Sequence, residues 1–165
     1  MIRRLAPVAA VLALGLGASA PAYAPKPKTI TGTGIGKIQL GATYKSLHKK
    51  GLVGKKVPGC ELASPPQKGA SLKPPLRGSV IVESGKVTNI TVFDGAEVNG
   101  VGPGSGLDDV KAAFPNAKVD SSQLGTFDAY FVRVKKADGG PFTFIVDGET
   151  EETVSVGIPY AALCD

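Results

Sequence analysis

The chain has 165 residues, 42% of them apolar and 6% aromatic, with no tryptophan, two cysteines and a single histidine. That length allows one domain with a real but shallow core, and one histidine beside two distant cysteines excludes a histidine triad or an ordinary zinc centre. The formal charge of +5 is unevenly spread: residues 25–90 hold 12 Lys/Arg against 2 acids, and residues 91–165 hold 5 against 12.

Residues 1–24 read as a cleaved secretory signal. Arg3 and Arg4 start it, an apolar run from Val8 to Leu16 follows, and Ala22-Tyr23-Ala24 closes it in an A-x-A pattern. The run is shorter than the roughly 20 residues a membrane helix needs. The expectation is an exported product, secreted or associated with the cell wall, with no integral membrane segment after cleavage. Cys60 and Cys164 both lie in the exported part. An even count in an oxidising compartment favours one disulfide between them. Free thiols for metal or redox work are the competing reading, weakened by the lack of any C-x-x-C.

Residues 25–36 begin Pro-Lys-Pro-Lys and carry glycines 32, 34 and 36, which predicts a flexible leader. Residues 37–40 form a short extended lead-in. Thr43 is a helix N-cap for residues 44–50, with Tyr44 and Leu47 on one face and Gly51 as the stop. Residues 64–77 hold four prolines and read as a loop. A hairpin follows, with strands over 79–82 and 86–93 about a Glu83-Ser84-Gly85 turn. Gly95 opens the next turn region. Ser105-x-x-Asp108 resembles a capping box for a second helix, in which Leu107, Val110 and Phe114 share a face and Pro115 is the stop. Three strands are expected over 126–135, 141–146 and 153–158, separated by the glycine turns at 137–140 and 147–148.

The two halves match at a constant spacing. Ile38 falls on Val101, Gly41 on Gly104, Tyr44 on Leu107 and Leu47 on Val110, each 63 residues apart. The fold class this predicts is α+β: residues 37–165 as a single domain of two similar helix-plus-antiparallel-sheet units in tandem, about 37–95 and 100–165, with short helices packed on one face of the sheet. The expected core includes Tyr44, Leu47, Ile90, Val92, Val110, Phe114, Tyr130, Val132, Val134, Phe144 and Val156.

The stretch Ile38-Gln39-Leu40-Gly41-Ala42-Thr43, a short helix ending at Gly51, and then Cys60 resembles the opening of secreted bacterial domains of the β-lactamase inhibitory protein family. Related single units occur in small outer-membrane-assembly lipoproteins. The resemblance covers about 30 residues of the first unit and, more weakly, residues 101–114. This chain lacks a methionine after Gly41 and has one cysteine in each half. The resemblance implies a repeated α+β fold and action by binding, and it transfers no target and no contact residue.

Catalytic patterns are sparse. Ser46-Leu47-His48-Lys49 matches S-x-x-K, but S-D-N and K-T-G are absent and the chain is too short for that fold. His48 has lysines at 45, 49 and 50 and no carboxylate close in sequence, so a solvated helix face is the favoured reading over a general base. Residues 32–37 fit neither phosphate-loop spacing. The acidic run 147–152 lacks the alternating ligands of a calcium loop, and Asn89-Ile90-Thr91 lies within a strand. The basic cluster Lys45, Lys49, Lys50, Lys55 and Lys56 is the candidate binding surface. Without interleaved aromatics it disfavours nucleic acid. The resulting expectation is a secreted, non-enzymatic binding module needing no cofactor, acting as a protein-binding inhibitor of an extracellular hydrolase. The alternative is an envelope-associated structural protein that holds an anionic cell-wall polymer through the basic cluster.

Overall fold

A computed structural model describes residues 26–59, 67–137 and 140–160, apart from the side chains of Lys136 and Ala137. Among the described residues the chain runs β1 (Lys28–Thr31), β2 (Gly34–Ile35), β3 (Ile38–Gln39), α1 (Tyr44–Lys49), β4 (Val53–Pro58), β5 (Lys68–Leu72), β6 (Arg77–Glu83), β7 (Lys86–Asp94) and β8 (Ala96–Glu97). It continues through α2 (Leu107–Ala113), β9 (Lys118–Asp120), α3 (Leu124–Phe127), β10 (Ala129–Ala137), β11 (Gly140–Asp147) and β12 (Thr153–Ile158).

This architecture corrects the expected fold class. The protein is mostly β, with 53% strand, 14% helix and two sheets, rather than an α+β tandem of helix-plus-sheet units. Strands from both halves join through β7 and β12 into one eight-stranded antiparallel sheet of order β4-β5-β6-β7-β12-β11-β10-β9. A second sheet of order β3-β2-β1-β8 is built from the glycine-rich start and the β8 segment. The helices stay short for local reasons. Gly51, at φ +68°, sits just beyond α1 in the left-handed region that a glycine tolerates. Phe114 leaves the helical region before Pro115 can extend α2.

Two sequence expectations changed with that balance. The segment 25–36, expected as a flexible leader, supplies β1 and β2 over its described part, and Ile30 and Ile35 are buried. The proline-rich stretch 64–77 contains β5, whose Ala70 and Leu72 are buried. Its prolines flank the strand instead of interrupting it, so no ladder hydrogen bond is lost.

The core lies on one face of the large sheet. Ala70, Val80, Ile90 and Ile158 are direct register partners across β5, β6, β7 and β12. Val92, Val156, Phe144 and Val132 make the next such row. Leu47 of α1, Leu107 and Val110 of α2, and Ile30, Ile35 and Ile38 of the small sheet belong to the same buried cluster. Phe114 closes over it, edge-on to Phe142 at 5.3 Å between ring centres and tilted on Phe144 at 5.7 Å. Of the core residues expected from sequence, Tyr44 and Tyr130 are only half-buried.

Candidate functional site

The two helix starts are seated alike. Gly41 N–H donates to Val87 O, Val87 N–H to Ala42 O and Tyr44 N–H to Gly85 O, which hangs α1 on the β6–β7 turn. Gly104 N–H donates to Thr153 O, Thr153 N–H to Ser105 O and Leu107 N–H to Glu151 O, which hangs α2 on the β11–β12 turn. Thr43 caps α1 as its residue type predicts, its hydroxyl accepting from Ser46 N–H at 3.4 Å. At α2 the capping role moves by one residue: Asp109 Oδ2 accepts from Gly106 N–H, while Ser105 Oγ accepts from Gly102 N–H.

These supports place the basic cluster at one edge of the molecule. Lys45 and Lys49 are exposed one turn apart on α1, and Lys50 is the exposed C-cap. Lys55 and Lys56 are exposed on β4, the outermost strand at that edge. The two elements are stitched together by the neighbouring stripe of α1. Tyr44 OH donates to Gly54 O at 3.1 Å. His48 Nδ1 lies 3.2 Å from Val53 O and 3.1 Å from Gly54 O. Both partners are carbonyls, so this nitrogen carries the proton and donates to them. The His48 ring stacks on Tyr44 with centres 5.4 Å apart, and Lys56 Nζ lies 4.6 Å from the centre of the Tyr44 ring. His48 therefore anchors a helix to an edge strand.

The edge itself is guarded. An unpaired outer strand invites pairing with another chain, and lysines and proline discourage it. β4 has Lys55, Lys56 and Pro58 there, with α1 beside its first residues.

No ion pair among the described residues neutralises the lysines. Among the described residues the ion pairs are Lys111–Asp108 at 3.1 Å and Arg133–Asp120 at 3.0 Å, and neither involves the cluster. Four of the second-half acids gather on the β11–β12 turn, against α2. There Asp147 Oδ1 accepts from Thr150 N–H at 2.8 Å, Thr150 Oγ1 at 2.9 Å and Glu149 N–H at 3.1 Å. The backbone bond from Thr150, then its hydroxyl, hold the Asp147 carboxyl below its ordinary range.

Cys60 and Cys164, and the signal segment 1–24, lie outside the described residues. No group of three or more metal-ligating side chains occurs among the described residues, and no described helix is long and apolar enough to cross a membrane. No family model matches the chain, and no curated protein or solved structure is significantly similar to it.

Proposed function

We propose that the protein is a non-enzymatic binding module that works outside the cytoplasm and holds an anionic partner, such as a cell-wall polymer, on the α1–β4 lysine face. The observation that carries this reading is the set of five exposed lysines on two elements tied together by Tyr44 and His48, none paired with a carboxylate among the described residues. Each exposed charge alone contributes little. Several gathered at one edge raise the local potential together and attract a polyanion over the screening distance of about 8 Å at physiological salt.

A protein partner, including an extracellular hydrolase that the module would inhibit, is the second reading. A different feature supports it: Phe93 and Val154 are about half exposed and border one groove with Asp94 and Glu152. Exposed apolar side chains rimmed by charge are the composition of an interaction surface. A pull-down with the exported protein separates the readings. Retention on purified cell wall that survives removal of wall proteins supports the lysine face. A single stoichiometric protein recovered from culture supernatant, with no retention on wall, supports the second.

A further inference from the structure

A polar row crosses the face of the large sheet opposite the core. Ser71, Ser79, Thr91 and Gly157 are direct register partners on β5, β6, β7 and β12. The row continues through Thr143 and Arg133 to Lys118 on β11, β10 and β9. Each member is offset by one residue from an apolar partner in the core rows, so alternation turns it the other way.

At the β9–β11 end the row opens into a cleft of about 910 Å³, at the upper end of the range for small-ligand sites. Among the described residues, Lys118, Arg133 and Lys135 line it against a single carboxylate, Asp120. Asp120 Oδ2 lies 3.0 Å from an Arg133 terminal nitrogen. Hydrogen bonds from Ser122, and then the charge of Arg133, keep the Asp120 carboxyl below its ordinary range. The guanidinium is thereby held in place with most of its five donors unspent. Tyr160, 60% exposed, gives the cleft an aromatic wall, whereas Val119, the register partner of Val132, turns toward the core face. The carbonyl of Tyr160 is fixed by the side-chain amide of Asn89.

We propose that this cleft binds a carboxylate flanked by apolar groups, as presented by an acidic peptide segment of a partner protein. Among the described residues, three cations against one acid leave a net attraction for an anion. A guanidinium held by one carboxylate is already oriented to share its remaining donors with a second planar carboxylate. The Thr143 position beside Arg133 brings a hydroxyl-bearing side chain to the same lining. The Tyr160 wall favours a peptide over a bare inorganic anion. The cleft lies at the opposite edge of the sheet from β4, so it stands or falls independently of the lysine face.

The test is an NMR titration of the exported protein with the amidated peptide Ac-Leu-Glu-Glu-Leu-NH2, its Gln-for-Glu analogue and inorganic phosphate. The acidic peptide is expected to give saturable shifts at the amides of Lys118, Arg133 and Thr143. Lys118→Gln and Arg133→Gln should each weaken it at least tenfold, while the combined Lys45→Glu, Lys49→Glu, Lys50→Glu variant leaves it unchanged. Arg133→Gln also strips Asp120 of its partner and is open to misfolding; Lys118→Gln touches no described ion pair and carries the test alone if so. No saturable shift, equal binding of the Gln analogue, or displacement of the peptide by equimolar phosphate would each overturn the assignment.

Discussion

Tyr44 is the side chain through which the lysine face either holds together or comes apart. It supplies a hydrogen bond to Gly54 O, a stacking surface for His48 and a ring beneath Lys56. Tyr44→Phe removes only the hydroxyl, at about 0.5–1.5 kcal/mol for a hydrogen bond of this kind. Tyr44→Ala removes the ring as well. Half-burial of a side chain this size contributes about 1–1.5 kcal/mol, since full burial is roughly 1.5–3, and an exposed cation–π contact adds about 0.5–1. The alanine variant should therefore lose about 2–4 kcal/mol and the phenylalanine variant about 1. Equilibrium urea unfolding, read as a shift in midpoint at constant slope, measures both. The alanine variant should also move the amide resonances of Val53 and Gly54, because α1 loses its grip on β4. Equal losses for the two variants, or a loss below about 0.5 kcal/mol for alanine, would refute the claim that the ring binds the two elements.

Three further outcomes follow from the geometry. β4 ends at Pro58, level with Lys68, Val82 and Val87 across β5, β6 and β7, while β12 ends at Ile158 opposite Ile90 of β7. Gly59, beside Cys60, and Tyr160, four residues before Cys164, thus leave the same end of the sheet, four strand gaps or about 19 Å apart. Four residues beyond Tyr160 reach about 14 Å, and a disulfide spans about 5–6 Å more, so a Cys60–Cys164 bond is within reach. Mass spectrometry of the unreduced protein should find no free thiol, and reduction should cost about 3–5 kcal/mol in the chain-entropy view; two free thiols in the unreduced protein contradict this. The Asp147 carboxyl sits below its ordinary 3.8, so its contribution to the β11–β12 turn is present above that value and lost as pH falls through the lowered one. Carbon-detected titration should show Asp147 protonating below 3.8, and Thr150→Ala should bring it back toward that value; an unchanged Asp147 in that variant contradicts the cause given. Finally, Gly95 has φ +85°, and a Cβ there would stand 2.5 Å from Pro75 O. Gly95→Ala should destabilise by at least about 1–3 kcal/mol, measured by thermal unfolding, and a neutral result would mean the turn relaxes freely.

The local signals were legible wherever one residue type carries one conformation. Thr43 before an apolar stripe marked α1, Ser84-Gly85 marked the β6–β7 hairpin, and glycine turns marked off β10, β11 and β12, although the strand expected from Thr126 begins only at Ala129, after α3. What stayed hidden depends on partners distant in sequence. β9 has three residues and one ladder, to β10, and β1 is a strand because it pairs with β2 and, in parallel, with β8. Glycines 32, 34 and 36 suggested freedom, whereas Ile30 before them and Ile35 among them are buried and fix the segment. The fold class was misjudged for the same reason: pairing of β7 with β12 merges the halves into a single sheet, and no local pattern reports that pairing. The lysine cluster was visible because its members are close in sequence. The β9–β11 cleft was not, since Lys118, Arg133 and Thr143 meet only through strand register.

The central claim is that the α1–β4 lysines form one working surface, and a salt titration of binding to purified anionic wall polymer tests it most directly. Binding by the unaltered protein should weaken steeply between low and physiological ionic strength. Lys45→Glu, Lys49→Glu and Lys50→Glu together should abolish it while leaving a folded protein, since all three side chains are exposed, reversal at Lys49 and Lys50 near the helix C-terminus costs about 0.3–1 kcal/mol per charge, and a glutamate at Lys45 in the first turn suits the dipole. The milder Lys→Gln set at the same positions should weaken binding and flatten its salt dependence without that cost. Polymer binding that is unchanged in the triple glutamate variant, or indifferent to salt in the unaltered protein, would contradict the account.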